Sequence, residues 1–116
     1  MNAARGHATR HWRNQKISAL ALVVLGGWFL FSLLSLSDPG FGSVRAWLAV
    51  PAQALLMLLF SWCALWHSAQ GVQVVVDDYV YGAWHARARL VSRSLHLAAA
   101  AAVAWALYVL AGMPPP

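Results

Sequence analysis

The stretch WHSAQGVQVVVDDYV, residues 66–80, sets a histidine inside an apolar run and closes that run with two aspartates and a tyrosine. On a straight helix the eleven residues from His67 to Asp78 turn through about 1100°, within roughly 20° of three full turns, and rise about 16 Å. The two side chains therefore share a face. If Asp78 marks the edge of a bilayer, His67 lies near its midplane, where a polar residue is costly and is usually functional or turned to the bundle interior. Cys63, Ala64 and Gly71 on the same strip are small, and Gly71, one turn beyond the histidine, has no side chain. Something broad and flat could lie against that strip. The same residues also have plainer uses. The histidine could hydrogen-bond to a neighbouring helix, the small residues could form a packing seam, and Asp-Asp-Tyr could be a wet helix end with an interfacial tyrosine.

The rest of the chain supplies the elements that would hold this strip. Of its 116 residues 61% are hydrophobic and only 9% are charged, far below the roughly 25% charged residues of a soluble domain. Such a chain belongs in a bilayer, and its length suits one membrane domain spanning residues 1–116. The single cysteine, Cys63, excludes an internal disulfide and a multi-cysteine iron–sulfur or zinc cluster. The net charge of +5 would suggest nucleic acid in a soluble protein. Here the basic residues gather at segment ends, which reads as membrane topology, and no nucleic-acid partner is expected.

Three apolar runs are long enough to cross about 30 Å of hydrocarbon, at about 17–36, 47–76 and 95–113. The fold class expected is therefore all-α, an integral membrane chain of three spanning helices; the resemblance described below makes it an anchor, part of a heteromeric transmembrane bundle. A signal peptide is the rival reading of the first run, but the run exceeds a 7–15-residue signal core and no small-x-small site ends it. Asp38, Pro39, Gly40 and Gly42 form a turn, and Pro51 fits a first helical turn or a kink. Polar residues 77–94 read as the second loop, and PPP stops the third helix. Arg5, Arg10, Arg13 and Lys16 precede the first span and Arg87, Arg89 and Arg93 lie in the second loop, against Arg45 alone across the membrane. The positive-inside rule then makes the N-terminus and the 77–94 loop cytoplasmic.

The arrangement His67, Gly71, Asp78, Tyr79, reading His-x-x-x-Gly-x6-Asp-Tyr in the second of three helices, resembles the hydrophobic membrane anchor subunit of succinate dehydrogenase, respiratory complex II. Asp77 before the Asp-Tyr pair and HWRNQKISALAL entering the first helix extend the likeness. It implies a b-type haem held between two histidines, one from this chain and one from a companion cytochrome b subunit, with ubiquinone reduced near the cytoplasmic surface. On that analogy His67 is the axial ligand to the haem iron and Gly71 lies beside the haem. Tyr79 donates a hydrogen bond to a quinone carbonyl, and Asp78 supports that site. Neutral imidazole is a good iron ligand, and a quinone taking up protons needs donors near water. The family often shows Gln-Arg-x-Thr-Ala where this chain has Gln15-Lys16-Ile17-Ser18-Ala19. Lys16 and Ser18 keep charge and hydroxyl but lose the bidentate geometry of arginine. Lys16 thus reads equally as a contact to a haem propionate or lipid phosphate and as a lysine that only fixes topology.

His96 enters the third helix too near its edge to face His67 across a haem, so a second ligand would come from a partner. His7, His11 and His85 read as surface or interfacial residues, Trp12, Trp47 and Trp84 as an aromatic belt, and Arg87 and Arg89 as headgroup contacts. With no nucleotide-binding glycine loop and no cluster cysteines, succinate oxidation falls to a flavoprotein subunit and an iron–sulfur subunit, and membrane lipid surrounds the anchor. Two other readings share the three helices: a cofactor-free structural or pore-forming membrane protein, and the anchor of a quinol-oxidising fumarate reductase. The first makes no use of the His67–Asp78 strip or of Tyr79.

Overall fold

A computed structural model describes residues 2–113, with side chains from Thr9 onward, and every regular element in it is helical. Helix α1 runs Asn2–Leu34, α2 Phe41–Leu48, α3 Pro51–Tyr79 and α4 Ala83–Gly112. Thr9–Leu34, Pro51–Tyr79 and Ala83–Gly112 are each long and apolar enough to cross a membrane. At 1.5 Å per residue the three long helices measure about 43–50 Å, more than the roughly 30 Å of hydrocarbon, so each extends beyond its apolar part.

The break within the expected second helix lies at Pro51. A residue before proline is pushed out of the helical region, and Val50 is extended at φ −73°, ψ 119°. Pro51 then starts α3 at a position where its missing N–H costs nothing. The eight-residue α2, Phe41–Leu48, ends two residues before Val50, and its Trp47 stacks on Trp28 of α1 at 5.6 Å between ring centroids. In the preceding loop Asp38 Oδ1 accepts a hydrogen bond from the Gly40 N–H at 3.2 Å, closing the turn that the Asp-Pro-Gly cluster implies.

Residues 77–94, expected as a loop, are helical except at 80–82. Asp77, Asp78 and Tyr79 form the last turn of α3, and Ala83 onward is already α4. Ala, Arg and Leu are strong helix formers, and beyond Gly82 no glycine or proline interrupts them, so charge alone does not stop the helix. Across the turn the Asp77 carboxylate accepts a hydrogen bond from His85 Nε2 at 2.8 Å. The turn itself depends on Gly82, at φ 66°, ψ −145°, a region closed to residues with a Cβ. Gly82→Ala should lower stability by about 1–3 kcal/mol. Gly42→Ala, where an added Cβ meets nothing within 4 Å, should stay within about 0.5 kcal/mol. Thermal melting in detergent checks both; equal melting points would remove the strain argument.

Helix α3 lies between the other two long helices and packs on both, while α1 and α4 do not approach each other. Ser18 meets His67, Phe29 stacks on Phe60, Trp62 reaches Ala100 and Asp77 meets His85, so neighbouring helices are antiparallel. The basic beginnings of α1 and α4 therefore lie at one end of the row, with the acidic end of α3 between them. Among the described residues only Leu48, Val76 and Ser18 are buried within the chain. A row of three helices has no closed core, so its stability depends on lipid or further helices covering its faces.

Candidate functional site

Helix α3 is unbroken from Pro51 to Tyr79, so the spacing argument holds along its length: His67, Gly71 and Asp78 occupy one strip. Tyr79, the next residue, is turned about 100° from Asp78. The strip borders α1. There the His67 Nδ1 lies 2.9 Å from the Ser18 hydroxyl, and the same hydroxyl lies 2.9 Å from the Gln15 carbonyl. A carbonyl only accepts, so the one hydroxyl proton goes to Gln15, and Ser18 Oγ must accept from the imidazole. His67 is thus held with its proton on Nδ1, leaving the Nε2 lone pair free of any partner among the described residues. An imidazole whose one N–H is anchored, and whose other nitrogen is presented, is the arrangement that orients histidine ligands at metal centres.

Ser18 is 7% exposed, the one buried polar residue among those described. Its carbonyl also accepts the Cys63 thiol at 3.6 Å, so this turn of α1 holds both polar side chains on the facing part of α3. Because Ser18 follows Lys16 by two residues, His67 sits level with the first apolar turn of α1. Beside it Gly71 leaves open space: an added Cβ would meet nothing within 4 Å. At Gly71 neither α1 nor α4 fills the strip.

Lys16 is not part of this contact. It sits about 200° around α1 from Ser18, with Nζ 3.8 Å from the centre of the Trp12 ring, an attraction that desolvates neither group. At the end of α3 the Tyr79 side chain is 77% exposed, and its hydroxyl has no partner among the described residues. Tyr81, by contrast, spends its hydroxyl on the Asp78 carbonyl at 2.6 Å. The Asp78 carboxylate is free beside Tyr79, whereas Asp77 is engaged by His85.

His96 is occupied on both nitrogens: Nδ1 donates to the Ser92 carbonyl at 2.7 Å, and Nε2 accepts from the Ser68 hydroxyl at 3.2 Å. It ties α4 to α3 and does not face His67. Among the described residues no three His, Cys, Asp or Glu side chains cluster to hold a metal; His67 would supply one ligand and require others from outside the chain. The side chain of His7 lies outside the described residues. Sequence reading noted the Ser18 hydroxyl without assigning it to His67, because 49 residues separate the two and only interhelical register joins them.

Fold and strip together define a membrane protein with three membrane-crossing helices that presents one oriented histidine beside open space. The chain belongs to the succinate dehydrogenase/fumarate reductase transmembrane subunit family, whose model matches residues 2–110. It is 29% identical over 72 residues to the succinate dehydrogenase hydrophobic membrane anchor subunit of Rickettsia bellii, over 62% of this chain and 58% of that one. The subunit of the same name from Rickettsia felis is 23% identical over 77 residues, covering 66% of this chain and 64% of the relative. The chain thus spans about three fifths of the length of the curated relatives it matches. No solved structure matches the chain significantly.

Proposed function

We propose that the chain is the membrane anchor of a succinate dehydrogenase, contributing one axial histidine to a haem b shared with a cytochrome b subunit and part of a ubiquinone-reducing site. The observation that carries this reading is the Ser18–His67 hydrogen bond, which leaves Nε2 free beside the open space at Gly71. A flat macrocycle with an iron needs both features: a fixed neutral imidazole and a strip without side chains. When bound, the haem supplies a one-electron carrier. This chain's part is to hold the imidazole in one tautomer, keep water from Nδ1 and leave room along α3.

At the charged end Tyr79 is placed to donate its hydroxyl proton in a hydrogen bond to a quinone carbonyl, with Asp78 beside it at the membrane edge, where protons are available. Tyr81 is not the donor, since its hydroxyl is spent on Asp78. The basic ends of α1 and α4 support a cytoplasmic N-terminus through the positive-inside rule, and the membrane in this reading is a bacterial inner membrane. There they face the soluble flavoprotein and iron–sulfur subunits that oxidise succinate. In this reading the chain has no succinate chemistry of its own.

Gly71→Leu tests the proposal. The new side chain begins in space that the chain itself leaves empty, so insertion and assembly should be retained while the haem content of the purified complex falls severalfold. Full haem content in this variant would move the haem away from the strip.

A further inference from the structure

On the other side of α3, away from His67, an open groove of about 470 Å³ runs between α3 and α4. Interhelical register divides it lengthwise. Trp62 lies level with Ala100, its indole N–H donating to the Ala100 carbonyl at 3.1 Å, and this end, with Leu65 and Leu97, is apolar. Two to three turns nearer the charged end, Gln70 and Gln73 on α3 face Arg89 and Arg93 on α4.

The polar end is incompletely satisfied. Neither Arg89 nor Arg93 has a hydrogen bond or ion pair among the described residues, and the nearby Asp77 is already held by His85. Gln70 Oε1 is buried and accepts from nothing, a state that costs free energy until a donor arrives. Two unpaired guanidinium groups and one unpaired carboxamide oxygen at the level where α4 turns apolar, above a groove lined by indole and leucine, describe the two ends of an amphipathic anion.

We propose that this groove is a binding site for one anionic phospholipid. Its phosphate sits between Arg89 and Arg93, a headgroup or glycerol donor reaches Gln70 Oε1, and an acyl chain runs along Trp62, Leu65 and Leu97. Charge complementarity decides the class. A neutral ring needs donors but gains little from two uncompensated cations, whereas a phosphodiester is matched by guanidinium forks in charge and geometry. The site is independent of His67 and stands whether or not the strip holds a haem.

The test is native mass spectrometry of the complex containing the full chain, stripped of lipid in mild detergent and then supplied with phosphatidylglycerol, phosphatidylcholine or inorganic phosphate. At about fivefold per surface cation, the wild-type complex should retain phosphatidylglycerol over phosphatidylcholine by about thirtyfold. Excess inorganic phosphate should not displace it, because the acyl chain contributes. Arg89→Gln with Arg93→Gln should abolish the preference. Leu97→Trp, which keeps both charges and fills the apolar end, should weaken both lipids together, and it serves if the double variant fails to assemble. Equal retention of the two lipids by the wild type, displacement by phosphate alone, or a quinone or polypeptide segment found in the groove would each overturn the assignment.

Discussion

Replacing His67 by alanine is expected to remove the b-type alpha band from the complex, or shift it strongly, while the chain still inserts and assembles. The side chain is half-buried and its one hydrogen bond among the described residues is with Ser18, so the polar part of the structural loss is a single hydrogen bond, about 0.5–1.5 kcal/mol. On the proposed reading the same change also removes a haem ligand, a far larger effect. Ser18→Ala separates the two. It leaves the imidazole in place but frees Nδ1, and removal of such an orienting partner costs roughly 10–100-fold in metal affinity, so haem should be retained with weakened binding and a displaced midpoint potential. Ser18→Thr, which keeps the hydroxyl, should restore both. The ordering is the test: His67→Ala most severe, Ser18→Ala intermediate, Ser18→Thr near wild type. An unchanged spectrum in His67→Ala would assign ligation elsewhere.

Tyr79→Phe is expected to slow quinone reduction on the order of 10²-fold, the cost of deleting one hydrogen-bond donor to an oxygen that gains negative charge. Succinate oxidation by an artificial dye acceptor should continue at the wild-type rate. Tyr79 is exposed and its hydroxyl bonds to no other described residue, so folding should be unaffected within about 0.5 kcal/mol. Tyr81→Phe is the internal comparison. It removes the bond to the Asp78 carbonyl and should affect the turn more than the quinone. Equal loss of dye and quinone activity in Tyr79→Phe would make the residue a support for assembly.

The relation of His67, Gly71 and Asp78 was legible in the sequence because α3 is one uninterrupted helix, and helical periodicity is a local property. The three membrane-crossing runs were legible for a similar reason, since hydropathy and length decide them without reference to neighbours. The extent of α4 was misjudged. Arg87, Arg89 and Arg93 read as loop residues, although arginine is a good helix former and only Gly82 breaks the backbone. The Pro51 break was visible, but the formation of α2 before it was not, because the stacking of Trp47 on Trp28 is tertiary. The contact of Ser18 with His67, the occupied state of His96 and the groove on α3 all depend on how antiparallel helices align. No spacing within one segment encodes that register.

A reduced-minus-oxidised visible spectrum of the complex that co-purifies with this chain in mild detergent, with its subunits identified by mass, tests the central claim most directly. A b-type alpha band accompanied by a cytochrome b subunit, a flavoprotein and an iron–sulfur protein is the result expected of an anchor presenting His67 to a shared haem. A colourless preparation without large soluble partners would contradict it, and would reduce the strip from His67 to Asp78 to helix packing.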